Sequence, residues 1–421
     1  MRDWGLGIGS ARGWSVSFLL AVVAVVLAAL AGSAQIVAGP IVVLISFDGW
    51  RWDYIDRAEV PHLRALASRG VRADGLISSF PSKTFPNHYT VVTGLYPEHH
   101  GIVSNVIVDP GFPERFTMAS RTAKTARWWG GDPLWNTAMR QGRRAASMFW
   151  PGSEAPIGGL RPTYWRPYDE AMPNAARVAQ VLEWLALPAD RQPSIITLYF
   201  SDVDTAGHAD GPDSAQVKRA AAHLDRMLGD LIDGVRRLNL MDRLSVVVVS
   251  DHGMSQLSDQ RVIYLDDYID ISTVSVTEWS PNLGLVPRSG SVEAVYASLK
   301  GKHPSLAVYK REDTPAHLHY RNNQRIPPIL GLADDGWRIA TRRMAAVDWA
   351  TGRTNGGAHG YDPTLKSMHG LFVAAGPRVR EGVRAPAFEN LHIYHFLCAL
   401  LGLKPSPNDG DPSVTSGLLR P

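Results

Sequence analysis

Three aspartates and two histidines recur at matching places in this chain. Asp48 closes the run "IVVLISFD", Asp204 and His208 follow "SIITLYF" in "SDVDTAGH", and Asp251 and His252 follow "RLSVVVVS" in "DHGM". Taken singly, each is an ordinary cap, turn or surface residue. Together they form a set of carboxylates and imidazoles without a thiolate, which suits zinc at a catalytic site with positions left open for substrate; magnesium seldom recruits several histidines. Six or seven ligands make two ions, so one more histidine is wanted. "GGAHGYDPTLKSMHG" supplies two candidates: His359, among glycines in a loop-like stretch that lets an imidazole turn, and His369, which opens an apolar run. Two such ions about 4 Å apart clamp the attacking and leaving oxygens of an in-line displacement at phosphorus.

A displacement needs a nucleophile, and "SFPSKTFPNHYT" (79–90) holds Thr84 between a lysine and a Phe-Pro pair. Pro81 and Pro86 break regular structure there, and Ser82 or Thr84 has the chemistry to cap the helix suggested by "PNHYTVVTGL". Beside two metal ions Thr84 gains a second reading. Its hydroxyl pKa is far too high for attack near neutrality, and a metal pair can strip that proton. A helix start also gathers N–H groups and a dipole that favour phosphate. Lys83 either assists the phosphate or is a solvated side chain, while Asn87 and His88 read as local scaffolding.

The elements that must hold these residues are legible around them. "IVVLISF", "SIITLYF" and "RLSVVVVS" read as buried parallel strands ending in loops, and "GLFVAAG" from Gly370 as one more core strand. "PHLRALASRG" predicts a helix closed by Gly70 as its C′ glycine. After Asp213, the residues Val217, Ala221, Leu224, Leu228, Leu231, Val235 and Leu238 fall at alternating steps of four and three, one apolar face of a helix. Strands alternating with helices imply an α/β domain with a doubly wound, mostly parallel sheet and helices on both faces, in which ligands bind beyond the carboxyl ends of the strands. That architecture delivers the three aspartates to one edge of one sheet. From about Gln256 to Arg343 the pattern turns to short mixed elements rich in Pro, Gly and Asn, read as a smaller α/β insertion that caps the site.

With 421 residues, 45% hydrophobic and 20% charged, the chain is an ordinary globular one. Its net charge of +3, with Lys and Arg scattered, lacks the footprint of a nucleic-acid groove and points to a small-molecule partner. Arg2 and Arg12, the apolar "VSFLLAVVAVVLAALAG" and the small residues of "AGSAQ" follow the order of an export signal over residues 1–34, cleaved near Ala31 or Ala34. The alternative is an uncleaved anchor in the inner membrane, since the run approaches the roughly 18 residues that span a bilayer. Either way the domain from 38 to 421 is expected to be exported, periplasmic or secreted. Cys398, the only cysteine, reads as a small buried residue in "LHIYHFLCALLGL", which leaves an exported fold to be held by its core and by metals.

Six segments carry a resemblance: "FDGWRWDYI", "SFPSKTFPNHYTVVTGLYPEHHGIVSN", "DPLWNTA", "DVDTAGHADGP", "SDHGM" and "HGYDPTLKSMHGLFVAAGP". In order, residue type and spacing they resemble the nucleotide pyrophosphatase/phosphodiesterase family of the alkaline phosphatase superfamily, from about Ile41 to Pro377. The compact bacterial type fits best, because the chain lacks the cysteine-rich modules, nuclease-like domain and disulfides of larger animal members. The resemblance implies an alkaline-phosphatase-like fold holding two Zn2+, one on Asp204, His208 and His359, the other on Asp48, Asp251 and His252 with Thr84 as nucleophile. It thereby picks His359 over His369. It also implies that Asn105, otherwise a turn residue, holds a phosphoryl oxygen, and that Phe85 and Tyr168, otherwise packed aromatics, stack a nucleobase. The tryptophans of "RWWGGDPLW" are left to the core. The implied reaction is hydrolysis of a nucleotide phosphodiester or pyrophosphate bond through a phospho-threonine, releasing a nucleoside 5'-monophosphate. The alternatives are a phosphodiesterase for choline or lipid diesters and a phosphomonoesterase of the same superfamily. A sulfatase would need Cys or Ser where Thr84 stands, a monoesterase usually adds an arginine or third metal, and an inactive binding protein would not keep all seven reactive positions.

Overall fold

The computed structural model describes residues 1–5, 39–350 and 355–421, so the expected export signal or anchor lies outside the described residues from 6 onward. Gly39 to Pro421 form one compact unit. Among the described residues no helix is long and apolar enough to cross a membrane.

The apolar runs become strands because each can bury both of its faces. In chain order they are β1 (Ile41–Phe47), β2 (Val71–Ala73), β3 (Ala145–Met148), β4 (Tyr164–Arg166), β5 (Ile195–Phe200) and β6 (Leu244–Val249). The chain then builds a second sheet from β7 (Val274–Glu278), β8 (Asn282–Pro287), β9 (Leu306–Lys310) and β10 (Ile329–Ala333). It returns to the first as β11 (Phe372–Ala375) and β12 (Val383–Ala385). The order in the large sheet is β12-β2-β11-β6-β1-β5-β3-β4. Neighbours pair in parallel except β11, which runs antiparallel to both β6 and β2. Consequently β11 begins, rather than ends, at the edge where β1, β5 and β6 finish.

Strand periodicity sorts β1 between two cores. Val42 and Leu44 enter one apolar cluster, whereas Ile41, Val43 and Ile45 enter the other, and all seven of its residues are buried. Helices cover both faces. They include α1 (Pro61–Ser68), α2 (Thr84–Thr93), α3 (Asn174–Leu185), α4 (Asp202–Asp210), α5 (Ala215–Arg237) and α6 (Ile393–Leu401). The stripe from Val217 to Val235 is the buried face of α5, Leu238 is partly buried beyond it, and Ser214 caps the helix by accepting the Val217 N–H at 3.2 Å.

Gly70 departs from expectation. It follows α1 but does not adopt the left-handed conformation of a C′ glycine. A Cβ on it would lie 2.0 Å from the Ala374 carbonyl oxygen, so the position is glycine because β11 passes against it.

The second sheet, ordered β7-β8-β10-β9, is antiparallel and has its own apolar core around Leu283, Leu285, Leu306 and Ile329. Buried charges tie its return segment to the main body. The Glu98 carboxylate accepts the N–H groups of Arg321 and Asn322 at 2.7 and 2.6 Å, and Arg325 pairs with Asp109 at 2.6 Å.

Candidate active site

The strands β6, β1 and β5 are adjacent, with β1 in the middle, and neighbouring strands lie about 4.8 Å apart. Asp48 directly follows β1, Asp251 stands two residues beyond β6, and Asp204 lies in the first turn of α4 after β5. Three carboxylates therefore meet at one sheet edge by topology alone. His208 joins them from one helical turn beyond Asp204 on α4. Gly49 makes the approach possible: it has φ +66°, and a Cβ there would lie 2.8 Å from the Asp204 backbone.

The imidazoles are oriented by the main chain. His208 Nδ1 lies 2.9 Å from Gly357 O, His252 Nδ1 2.9 Å from Gly253 O, and His359 Nδ1 2.8 Å from Ser82 O. A carbonyl only accepts, so each Nδ1 carries the proton and each Nε2 presents a lone pair to the cluster. The Nε2 atoms of His208 and His359 face each other at 3.1 Å, a contact that two neutral rings of this tautomer cannot make as a hydrogen bond. A shared cation removes the conflict.

Two of the carboxylates are held by one oxygen and present the other. Asp48 Oδ2 accepts the Tyr199 hydroxyl at 2.6 Å, and Asp251 Oδ1 accepts the Gly49 N–H at 3.2 Å. Asp48 Oδ1, Asp251 Oδ2, Asp204 Oδ1 and His252 Nε2 are buried without any hydrogen-bond partner. Such orphans carry a desolvation penalty unless an ion satisfies them. His252 Nε2 lies 3.5 Å from Asp48 Oδ1 and 3.0 Å from Asp251 Oδ2. Asp204 Oδ1 lies 3.5 Å from His208 Nε2 and 3.8 Å from His359 Nε2. Ligand atoms around a tetrahedral zinc, at about 2.0–2.1 Å from it, are roughly 3.3 Å apart. Both groups are of that size, and the donor set fits two zinc ions. His252, its ring stacked on that of His359 at 3.5 Å, lies between the groups, and Asp204, His252 and His359 are also close enough to form a set.

Electrostatics point the same way. Burial, with repulsion from Asp251 and Asp204, raises Asp48 well above the usual carboxylate range, and burial raises Asp204 as well. Burial also pushes Asp251 up, but interaction with the neighbouring His252 and His88 rings outweighs it and holds Asp251 at about 2. His359 is driven well below the usual histidine range by burial and by its histidine neighbours. Burial and mutual repulsion thus work against the charged forms of Asp48 and Asp204, and divalent cations reverse that balance.

Thr84 opens α2 as its first helical residue. The N-cap is Lys83 and has no side-chain cap, so neither Ser82 nor Thr84 caps the helix. The N–H groups expected to greet a phosphate are largely committed: Phe85 N–H goes to Asn105 Oδ1 at 2.9 Å, Pro86 has none, and Asn87 N–H bonds Lys83 O. Asn105 accepts through its oxygen, which leaves its NH2 group available as a donor next to the residue that follows Thr84. Lys83 is neither solvated nor free, since its ammonium pairs with Glu278 at 2.7 Å and the residue is buried. Asn87 ties Ser79, Pro81 and Lys83 together, and His88 bridges Ser46 Oγ at 2.7 Å and Thr84 O at 2.8 Å.

A cavity of about 310 Å³ opens beside these groups, lined by Asp48, Asp204, Thr84, Phe85 and Tyr168 among others. Phe85 packs on Phe116 and Trp129, and Tyr168, 45% exposed, leans on Phe149 at the mouth. Trp128, Trp129 and Trp135 are buried. His369 stays outside the cluster, buried at the start of β11, while its carbonyl accepts the Trp52 N–H at 3.1 Å. Sequence reasoning passed over Tyr199, which holds Asp48 and lines the cavity. Its only signal was a phenol near the end of an otherwise apolar strand.

The family model for type I phosphodiesterase / nucleotide pyrophosphatase matches residues 42–362. The chain belongs to that family. It is 38% identical over 411 residues to the venom phosphodiesterase CdcPDE of Crotalus durissus collilineatus, covering 93% of this chain and 48% of that one. It is 37% identical to human ectonucleotide pyrophosphatase/phosphodiesterase family member 5, covering 88% and 76%. The chain thus spans about half the length of the venom relatives it matches. Murine ectonucleotide pyrophosphatase/phosphodiesterase 5, solved as an inactive threonine-to-alanine variant in complex with AMP, superposes with a TM-score of 0.85 at 36% identity, over 91% of this chain and all of that one. This phosphodiesterase-family fold is an alkaline-phosphatase-like α/β fold with a large, mostly parallel sheet.

Proposed function

We propose that this protein is a phosphodiesterase that hydrolyses nucleotide phosphodiester or pyrophosphate bonds with Thr84 as nucleophile, releasing a nucleoside 5'-monophosphate. The observation that carries this reading is one cavity lined together by Thr84, by Asp48 and Asp204 with their orphaned carboxylate oxygens, one from each candidate metal group, and by two aromatic rings. Asp204, His208 and His359 would hold one zinc ion, and Asp48, Asp251 and His252 the other. Bound there, the two ions would supply the positive charge that lets a threonine hydroxyl, and later a water, act as a nucleophile near neutrality.

The residues of the chain do the rest. His88 holds the Thr84 carbonyl and so fixes the first turn of α2 while the hydroxyl attacks phosphorus. The Asn105 NH2 group donates to a phosphoryl oxygen, with its own orientation set by Phe85 N–H. The P–O bond to the leaving group breaks as the bond to Thr84 forms, and water then attacks the phospho-threonine, two displacements that retain configuration at phosphorus. Phe85 and Tyr168 flank the cavity at a place suited to stacking a base. The AMP bound by the murine relative, and the words nucleotide and phosphodiesterase in the relatives' names, support a nucleotide substrate. Export, through the N-terminal segment, places this activity outside the cytoplasm, with the second sheet as a cap beside the site.

The test is a panel of dinucleotides, nucleoside triphosphates, choline phosphodiesters and nitrophenyl mono- and diesters on zinc-loaded protein. Nucleotide diesters are expected to dominate. A dominant rate on choline esters would reassign the substrate, and a dominant rate on monoesters would overturn the reaction class.

A further inference from the structure

Glu278 ends β7 on the second sheet, 174 positions along the chain from Ser104. The pairing of β7 with β8 slips between Val276 and Glu278, and this bulge turns the Glu278 side chain out of the regular alternation. Its carboxylate reaches two residues of the site. One oxygen pairs with the Lys83 ammonium at 2.7 Å, the side chains being 17% and 7% exposed. The other accepts the Ser104 hydroxyl. Lys83 precedes Thr84 in the chain, and Ser104 precedes Asn105, whose amide oxygen holds the Phe85 N–H at 2.9 Å.

These links close a ring through Glu278, Lys83, Thr84, Phe85, Asn105 and Ser104. Lys83 and Ser104 are each 5% exposed, and the cavity at Ser104 and Glu278 is only about 10 Å³, the size of a single water. A closed ring restrains what an open segment leaves loose. Neither the nucleophile segment nor the Asn105 segment can shift without stretching a charge-assisted bond.

We propose that Glu278 is a positioning residue: it sets the separation between the Thr84 hydroxyl and the Asn105 amide, from a sheet that lines none of the cavity into which Thr84 opens. The inference rests on the roles given above to Thr84 and Asn105. Glu278 touches no reacting atom and acts only through Lys83 and Ser104. Catalysis thereby depends on the docking of the second sheet, because misplacement of reacting groups by about 1 Å can cost a hundredfold in rate.

The experiment measures kcat, KM and the unfolding midpoint on zinc-loaded full chain with bis-p-nitrophenyl phosphate. The variants are E278A, E278Q and S104A, each alone and combined with N105A, and T84A is the reference. E278A is expected to lower kcat at least ~10-fold with KM changed less than ~3-fold. In the N105A background the same change should lower kcat less than ~3-fold, because the group being positioned is already gone. S104A, which opens one link only, should give a smaller loss of the same kind. Equal factors in both backgrounds, or a loss confined to KM, would overturn the proposal, since a merely structural glutamate is additive with N105A. An inactive T84A beside an E278A that keeps its kcat overturns the positioning role and leaves the site reading intact; a T84A that keeps its rate overturns both. Should E278A fail to fold, E278Q and S104A carry the same comparison: glutamine fills the same space but leaves the buried Lys83 ammonium without its countercharge.

Discussion

At the scale of single residues, Asp48, Asp251 and the three histidines of the cluster each have one anchored atom and one free one. Tyr199 is the clearest anchor, for its hydroxyl holds the Asp48 oxygen that faces away from the cluster. Tyr199→Phe should weaken zinc binding about 10–100-fold in a chelator competition, as removal of an outer-shell partner generally does. An unchanged affinity would mean that Asp48 is oriented by something else. Thr84→Ala should lower kcat by at least ~1,000-fold on a nitrophenyl phosphodiester, with Thr84→Ser recovering part of it. Asp48, Asp204 and Asp251 were legible in the sequence because an apolar strand marks its own end, and a carboxylate there has few other reasons to be buried. His359 was one of two equal candidates until the family resemblance decided between them. Tyr199 was not legible, since nothing in "SIITLYF" separates a phenol that packs from one that orients a carboxylate.

Elements show where local propensity and packing disagree. Gly70 lies outside the left-handed region, and replacing such a glycine with alanine would normally stabilise by about 0.4–1 kcal/mol through the unfolded chain. Here the added methyl would meet the Ala374 carbonyl at 2.0 Å. Gly70→Ala should therefore destabilise, by about 1–3 kcal/mol in denaturant unfolding, because β11 must move to admit it. The apolar face of α5 was readable from spacing alone, and its residues are buried as that spacing requires. By contrast, the start of α2 misled: a threonine after a lysine looked like a cap, but the chain enters the helix at Thr84 itself. The direction of β11 was equally hidden, since an apolar run carries no sign of which way its neighbours point. Glu278 depended on a bulge, and bulges leave no dependable mark in an alternating strand.

For the molecule as a whole, acid is the informative perturbant. His100 is fully buried, with Nε2 3.0 Å from Thr90 Oγ1 and Nδ1 accepting the Ile102 N–H at 3.1 Å; the His99 ring and the Arg325 guanidinium are its titratable neighbours. Burial, first of all, lowers it to about 3 from an ordinary value near 6.5. The unfolded chain thus binds a proton in that interval that the folded one refuses. The contribution of His100 to stability is complete above pH 6.5 and is lost as pH falls from there toward 3. His100→Gln should flatten the fall of unfolding free energy between pH 6.5 and 4 by up to one proton's slope, and an unchanged slope would assign the acid sensitivity elsewhere. Zinc should act on the same balance, raising the unfolding midpoint in proportion to log concentration above its dissociation constant.

The ligand atoms come from points as far apart as the end of β1 and His359, which lies beyond the second sheet. This dispersal bears on how the protein is made. A growing chain reaches Thr84 early, but under the proposed assignment it cannot complete both metal groups until everything up to His359 has emerged. Under that assignment the threonine stays chemically silent through synthesis, and gains its activating charge only as His359 and the core elements that follow it, β11, β12 and α6, join the fold.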